Sequence, residues 1–352
     1  MFYRDNGQYK SDYAADQAIF PLRQDRIGMV LVLLVAFVGV PIFATEYVYT
    51  GIMIPFLILA LATIGLNLLT GYCGQVSLGT GAFMAVGAYA AYNLVLRVPG
   101  MNILLAMLLG GGISALVGVL FGLPSLRIKG FYLAVATLAA QFFIDWVFIR
   151  IKWFTNDAPN ATAPELIIFG LPFNTAERRY LFTLVVVGVL ALIAKNLVRG
   201  RIGRAWMAVR DMDIAAEIIG IRLLHTKLLA FAVSSFYCGV AGALWAFVHL
   251  GAWEPLTFDV NRSFQVLFMV IIGGVGSILG SFLGAAFIFA VPVLINQVPA
   301  ALGVPISTAL GSHLEAMSFG ALIIFFLIAE PHGFARLCAL GKEKLRLWPF
   351  PH

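Results

Sequence analysis

Residues 263–298 read SFQVLFMVIIGGVGSILGSFLGAAFIFAVPVLINQV, 36 positions without a charged side chain. An α-helix rises about 1.5 Å per residue, and the hydrocarbon core of a bilayer is about 30 Å thick. The run could be one tilted span or two. Two spans meeting at the glycines of GGVGSILGS fit it better, and they are placed at 263–280 and 281–298. The division decides the fold, because it sets whether the number of spans is even or odd.

A window of about 20 apolar residues moved along the rest of the chain gives eight more spans. They lie at 27–44, 51–70, 76–96, 101–123, 131–149, 180–198, 228–250 and 310–329. Composition agrees: of 352 residues 61% are hydrophobic and only 11% charged, with a mean hydropathy of +0.95, far from a soluble globular protein. The expected fold is an all-α polytopic transmembrane helical bundle of about ten spans. It comprises an N-terminal tail (1–26), one membrane domain (27–330, with long loops at 150–179 and 199–227) and a C-terminal tail (331–352). The first apolar run follows a polar stretch and lacks a charged start and a small-residue cleavage site, so a cleaved signal peptide is not expected. Cys73, Cys238 and Cys338 have no metal-ligand spacing and read as small core residues.

Lys and Arg accumulate on the cytoplasmic side of membrane proteins. With the N-terminus inside, only Arg97, Arg150, Lys152, Arg178, Arg179 and Arg262 fall outside, leaving 17 of the 23 basic residues inside. Both termini are therefore expected in the cytoplasm, which ten or eight spans allow and nine do not. The net charge of +6 follows from this sidedness, and no nucleic acid is needed to explain it. The outer loop at 150–179, with Pro159, Pro164 and Pro172, suits either a solvated linker or a docking surface for an extracellular partner.

The inner loop contains GRAWMAVRDMDIAAEIIGI, residues 203–221. Asp211 or Asp213 suits a helix start, and Gly220 suits the left-handed position that ends one. Ile214, Ile218 and Ile221 share one face of this short helix, and Arg210, Asp213 and Glu217 another. The flanking Arg199, Arg201 and Arg204 favour an anionic membrane surface. Asp211, Asp213 and Glu217 would be repelled there, and small Ala215 and Ala216 between charges of both signs suit a groove in a protein partner.

AAEIIG, two alanines followed by Gly220 four residues on, resembles the cytoplasmic coupling loop of ABC importer permeases, whose pattern is Glu-Ala-Ala, three residues, Gly. GLNLLTGYCGQVSLGTGAFMAVGAYAA from Gly65, the stretch from Gly203, and FQVLFMVIIGGVGSILGSFLGAAFI from Phe264 together resemble the branched-chain amino acid ABC transporter permease family, LivM type, over nearly the whole chain. Ile214 departs from the coupling pattern, where Glu is usual, and Thr80 stands where His is common in the family. The resemblance implies a multi-pass subunit of the bacterial inner membrane, paired with a second homologous permease as a heterodimer. Two cytoplasmic ATPase subunits and a periplasmic substrate-binding protein would complete the transporter. The implied substrates are leucine, isoleucine and valine, although related permeases carry urea, amides or small carboxylates.

No G-x-x-x-x-G-K-[ST] loop occurs in the sequence, so this chain is expected to bind no cofactor and to leave ATP hydrolysis to its partners. It is read as a transport subunit without catalytic or metal-binding residues. Arg210, Asp213, Ala215, Ala216, Glu217 and Gly220 would couple it to the ATPases. Asn67, Gln75, Ser77 and Thr80 put polar groups at membrane depth among glycines, which suits either a broken helix lining the translocation pathway or close helix packing with amides as glue. Gln141, at i, i+4 from Asp145, is a further pathway candidate. An ion-translocating subunit would need charges at mid-membrane, whereas Asp145, Lys195, His249, His313 and Glu315 all fall near predicted span ends. A self-sufficient secondary transporter would leave the inner helix merely resting on lipid.

Overall fold

The computed structural model describes residues 12, 23–123, 131–156, 161–162, 166–168, 171–301, 308–329 and 333–347. Most of the N-terminal tail, Arg127, Lys129, Pro159, Pro164 and the last five residues of the C-terminal tail lie outside the described residues.

The chain folds into helices α1 (Arg26–Phe43), α2 (Val48–Tyr72), α3 (Thr80–Arg97), α4 (Ile103–Gly122), α5 (Phe131–Arg150) and the single turn α6 (Lys152–Thr155). These are followed by α7 (Ala176–Arg199), α8 (Arg201–Asp211), α9 (Asp213–Ile218) and α10 (Leu223–Leu250). The last four are α11 (Val260–Gly273), α12 (Ile278–Ala301), α13 (Thr308–Ala329) and α14 (Gly333–Leu347). Among the described residues, 8 helices are long and apolar enough to cross a membrane. The α3 and α13 helices lie at the other two expected span positions but are not among these eight. Among the described residues, strands are confined to two-residue pieces. β1 (Ala161–Thr162) pairs antiparallel with β4 (Ala252–Trp253), and β2 (Ile167–Ile168) with β3 (Leu171–Pro172).

The expected division at GGVGSILGS exists, but it falls earlier than 280: α11 stops at Gly273 and α12 resumes at Ile278. Gly274 and Gly276 take φ of 116° and 81°, which a side chain rarely tolerates and which ends the helix. The third span is corrected more substantially. It does not start at 76; residues 74–79 are not helical, and α3 begins at Thr80.

Contacts order the bundle by its two ends. The C-termini of α2 and α11 meet α8 where Gly71 lies against Gly276 and Arg210 bonds Gly71; we call this the basic end. At the opposite, loop end, β1 and β4 join the outer loop to the chain leaving α10. The α3 helix, at 18 residues, is about 27 Å long, and α11, at 14 residues, about 21 Å. Neither crosses a 30 Å core alone. Residues 74–79 climb from the basic end to meet α3, and residues 251–259 descend from the loop end to meet α11. The two helices therefore start at a common depth inside the bundle and run in opposite directions.

Irregular backbone at membrane depth must be satisfied by protein. The climbing leg complies: Gln75 N–H bonds Leu69 O at 3.1 Å, Leu78 N–H bonds Thr137 Oγ1 at 2.8 Å, and Gly79 N–H bonds Ser77 Oγ at 3.3 Å. Trp253 anchors the descending leg, its indole N–H bonded to Ala88 O at 3.1 Å and its ring 4.5 Å from Tyr92.

The centre of the core is the contact of α3, α4 and α10, made close by small residues. A Cβ on Gly242 would overlap Met84 O, one on Gly87 would overlap Gly239, and one on Gly118 would overlap Ser235. Elsewhere the outward side chains of α4, α5 and α7, such as Leu116, Phe142, Trp146 and Leu192, are exposed and apolar, as a hydrocarbon solvent requires. The α1 helix lies on the perimeter, tied by Tyr180 O–H to Ala36 O at 2.9 Å. Cys73 and Cys238 are buried as expected, whereas Cys338 is exposed on α14 and is not a core residue. Arg262 occupies the first turn of α11 with its guanidinium 4.4 Å above the Trp245 ring.

Candidate functional site

The first N–H groups of a helix have no partner within it, and here two such helix starts face each other inside the membrane domain. One side chain serves both. Gln141 of α5 accepts Ala82 N–H of α3 at 2.6 Å and Ser263 O–H of α11 at 2.9 Å on its Oε1. Its Nε2 donates to Phe258 O at 2.9 Å and to the Asp145 carboxylate at 2.9 and 3.2 Å. Ser263 Oγ in turn accepts Gly81 N–H at 2.8 Å, and Asp259 Oδ1 caps α11 through Arg262 N–H at 3.1 Å. Gln141 is thus fully engaged and buried, as is Ser77. Thr80, the first residue of α3, is also buried, yet its hydroxyl has no partner among the described residues.

A second amide closes the basic end. Asn67 of α2 accepts Gly276 N–H at 2.8 Å and donates to Ser277 O and Ser281 Oγ, both at 2.9 Å, and to Gly274 O at 3.4 Å. The glycine-rich blocks that contain Asn67 and Gly276 therefore meet in space. Asn67→Leu is expected to strand these groups and to cost about 2–4 kcal/mol. Thermal unfolding of the purified chain in detergent checks this, and an unchanged midpoint would refute the bridging role.

Arg210, the penultimate residue of α8, reaches the same place. Its Nη1 donates to Gly71 O at 2.9 Å, among the last carbonyls of α2, where a cation also meets the negative end of the helix dipole. Its Nε pairs with Asp211 at 2.8 Å, and its stem packs against Gly74. Trp206, with none of its surface exposed, holds α8 against α10 through Nε1–H to Thr226 O at 3.0 Å.

The inner loop holds two helices rather than the one expected. Met212, in extended conformation, separates them as the N-cap of α9, and it makes no side-chain cap bond. Neither Asp211 nor Asp213 caps; Asp213 lies in the first turn, where its charge suits the dipole. Gly220 does end the segment, at φ 90°. Ala216 is 2% exposed and faces the bundle, so its methyl is not at the surface. Ala215 and Glu217 are exposed. Ile214, Ile218 and Ile219 present the outward apolar face, at 67, 80 and 74% exposure. Ile221, expected to share that face, is only partly exposed.

Sequence reasoning missed Ser263, Thr137 and Asp259. Asp259, three residues before Arg262, carried a capping signal, but it lay outside the expected span, which was placed to start at 263 rather than at Val260.

A family model described as branched-chain amino acid transport system / permease component matches residues 48–327. The chain is 28% identical over 309 residues to the high-affinity branched-chain amino acid transport system permease protein LivM of Salmonella typhimurium, covering 81% of this chain and 68% of that protein. It is 29% identical over 309 residues to the LivM protein of Escherichia coli, with the same coverage. The fructose import permease protein FrcC of Rhizobium meliloti is 25% identical over 223 residues, 60% of this chain and 61% of that protein. No solved structure matches.

Proposed function

The chain belongs to the branched-chain amino acid transport system permease family, a family of multi-pass membrane transport subunits, and from that premise we propose that it forms half of an importer's translocation pathway. In this reading it pairs with a second, homologous permease in the bacterial inner membrane, with both termini cytoplasmic. It passes leucine, isoleucine or valine delivered by a periplasmic binding protein. Two ATPase subunits dock on its basic end and hydrolyse the ATP.

One observation carries the reading: the elbow of α8 and α9 has an apolar face outside and a single guanidinium inside. Ile214, Ile218 and Ile219 face away from the bundle among charged residues, as a plug for a partner's groove does. On the inner side, Arg210 touches the end of α2 and the start of the climbing leg. Pressure on the isoleucines is thereby delivered to the segments that lead to α3 and flank the α11–α12 break, a hinge-like element suited to alternating access. Along the route, the amides of Asn67 and Gln141 are consumed in holding helices. Thr80 and Gln75, with polar capacity to spare, are the side chains that would meet the solute.

Ile218→Asp tests the docking face. Because Ile218 is exposed, the variant is expected to fold normally, while a lost interface hot spot lowers leucine uptake by about 30-fold. The measurement is uptake by proteoliposomes holding the complete transporter. Uptake at the wild-type rate would remove α9 from the interface.

A further inference from the structure

A cleft of about 330 Å³ opens at the basic end between the climbing leg, the α8–α9 elbow and the start of α10. Lys227, in the second turn of α10, lines it while only 4% exposed. Among the described residues it has neither a carboxylate within ion-pair distance nor a hydrogen-bond acceptor. Its ammonium nitrogen is open to the cleft rather than sealed in the core, and a cation there, at the positive end of the α10 dipole, favours an anionic ligand. Its charge is felt nearby: burial pushes the Cys73 thiol up to about 12, and Lys227 opposes that rise.

The rest of the lining narrows the chemistry of the missing counter-ion. Val209 and Met212 offer apolar surface, and the side chain of Gln75 reaches the same space. Asp211, 65% exposed and held by Arg210, and Asp213 add carboxylates at the rim. A cation in the depth, carboxylates at the mouth and an apolar wall between them complement a zwitterion with an apolar side chain. Phosphate would satisfy Lys227 but be repelled by Asp211.

We propose that this cleft binds a hydrophobic α-amino acid from the basic side, its carboxylate on Lys227 and its ammonium toward Asp211. The choice of ligand rests on the transport reading above; the need for an anion does not. Occupancy would bridge α10 to the elbow that carries the docking face, so accumulated solute would stiffen the part that must move.

The test is equilibrium binding of radiolabelled leucine to the full chain in nanodiscs, without partner proteins. Saturable binding is expected, weakened at least about tenfold by Lys227→Gln and largely restored by Lys227→Arg. Met212→Trp, at an exposed position that spares the fold, should weaken it similarly by filling the mouth. 3-Methylbutylamine, which has no carboxylate, should not compete, and inorganic phosphate should compete poorly. Absence of saturable leucine binding, equal binding by Lys227→Gln, or displacement by phosphate as effective as by leucine would each overturn the proposal. Leucine import by the complete transporter, measured in parallel, separates the two readings. Lys227-dependent binding without import upholds this site and defeats the transport role, whereas import without such binding does the reverse.

Discussion

Replacing Gln141 with leucine is expected to lower the stability of the permease by about 4–6 kcal/mol and to abolish uptake. The size follows from counting what the amide leaves behind. Ala82 N–H at the start of α3, Ser263 O–H, Phe258 O and the Asp145 carboxylate all lose the partner that Gln141 supplies. Each such group left unpaired away from water costs about 1–3 kcal/mol, and in a buried helix junction water does not readily replace the amide. Leucine has a similar volume, so packing is little changed and the loss is one of polar satisfaction. Ser263→Ala removes two links, the bond to Gln141 and the acceptor of Gly81 N–H, and should cost about 1–3 kcal/mol. Because the Ser263 hydroxyl donates to Gln141, the double variant should cost less than the sum of the two, a coupling of at least 0.5 kcal/mol on the scale of contacting residues. Thermal unfolding of the four proteins in one detergent measures the cycle. Strict additivity, or a Gln141→Leu midpoint near wild type, would show that the two helix starts are not held by this amide.

Much of the bundle was legible because hydrophobic length is set by the bilayer: eight of the expected spans correspond to helices long and apolar enough to cross it, from Arg26–Phe43 to α12, and the other two to α3 and α13. What escaped was depth. Residues 76–79 are apolar enough to extend a span, yet they are irregular chain, because Thr137 and Ser77 supply side-chain acceptors that no local pattern reveals. Leu256–Gly273 reads as one apolar stretch, while Asp259 caps a helix that starts partway through it. Asn67 and Gln141 were visible as costly amides at depth, but their partners lie 209 and 122 residues away, at Gly276 and Ser263. Periodicity cannot report contacts at that separation. The same limit applied to α9, where spacing placed its isoleucines on one side but could not show that Ala216 faces the bundle.

Arg210→Ala is expected to reduce uptake by the complete transporter about 100-fold while the chain remains folded and in the membrane. The guanidinium is part-exposed, and its pair with Asp211, at 38 and 65% side-chain exposure, contributes little to stability. Transmission is a different matter, since the bond to Gly71 O is a polar link from the α8–α9 elbow to the end of α2. Without it a push on α9 deforms the inner loop and leaves the helix break where it was. ATP hydrolysis by the assembled partners should therefore persist at half or more of its usual rate, giving a transporter that consumes ATP without moving solute. Arg210→Lys should recover little, because one ammonium cannot serve Gly71 O and the Asp211 carboxylate together as the planar fork does. The decisive quantity is the ratio of leucine transported to ATP hydrolysed in proteoliposomes. If uptake and hydrolysis fall in proportion, Arg210 supports assembly rather than coupling; if the ratio alone collapses, the guanidinium is the strut between the elbow and the pathway.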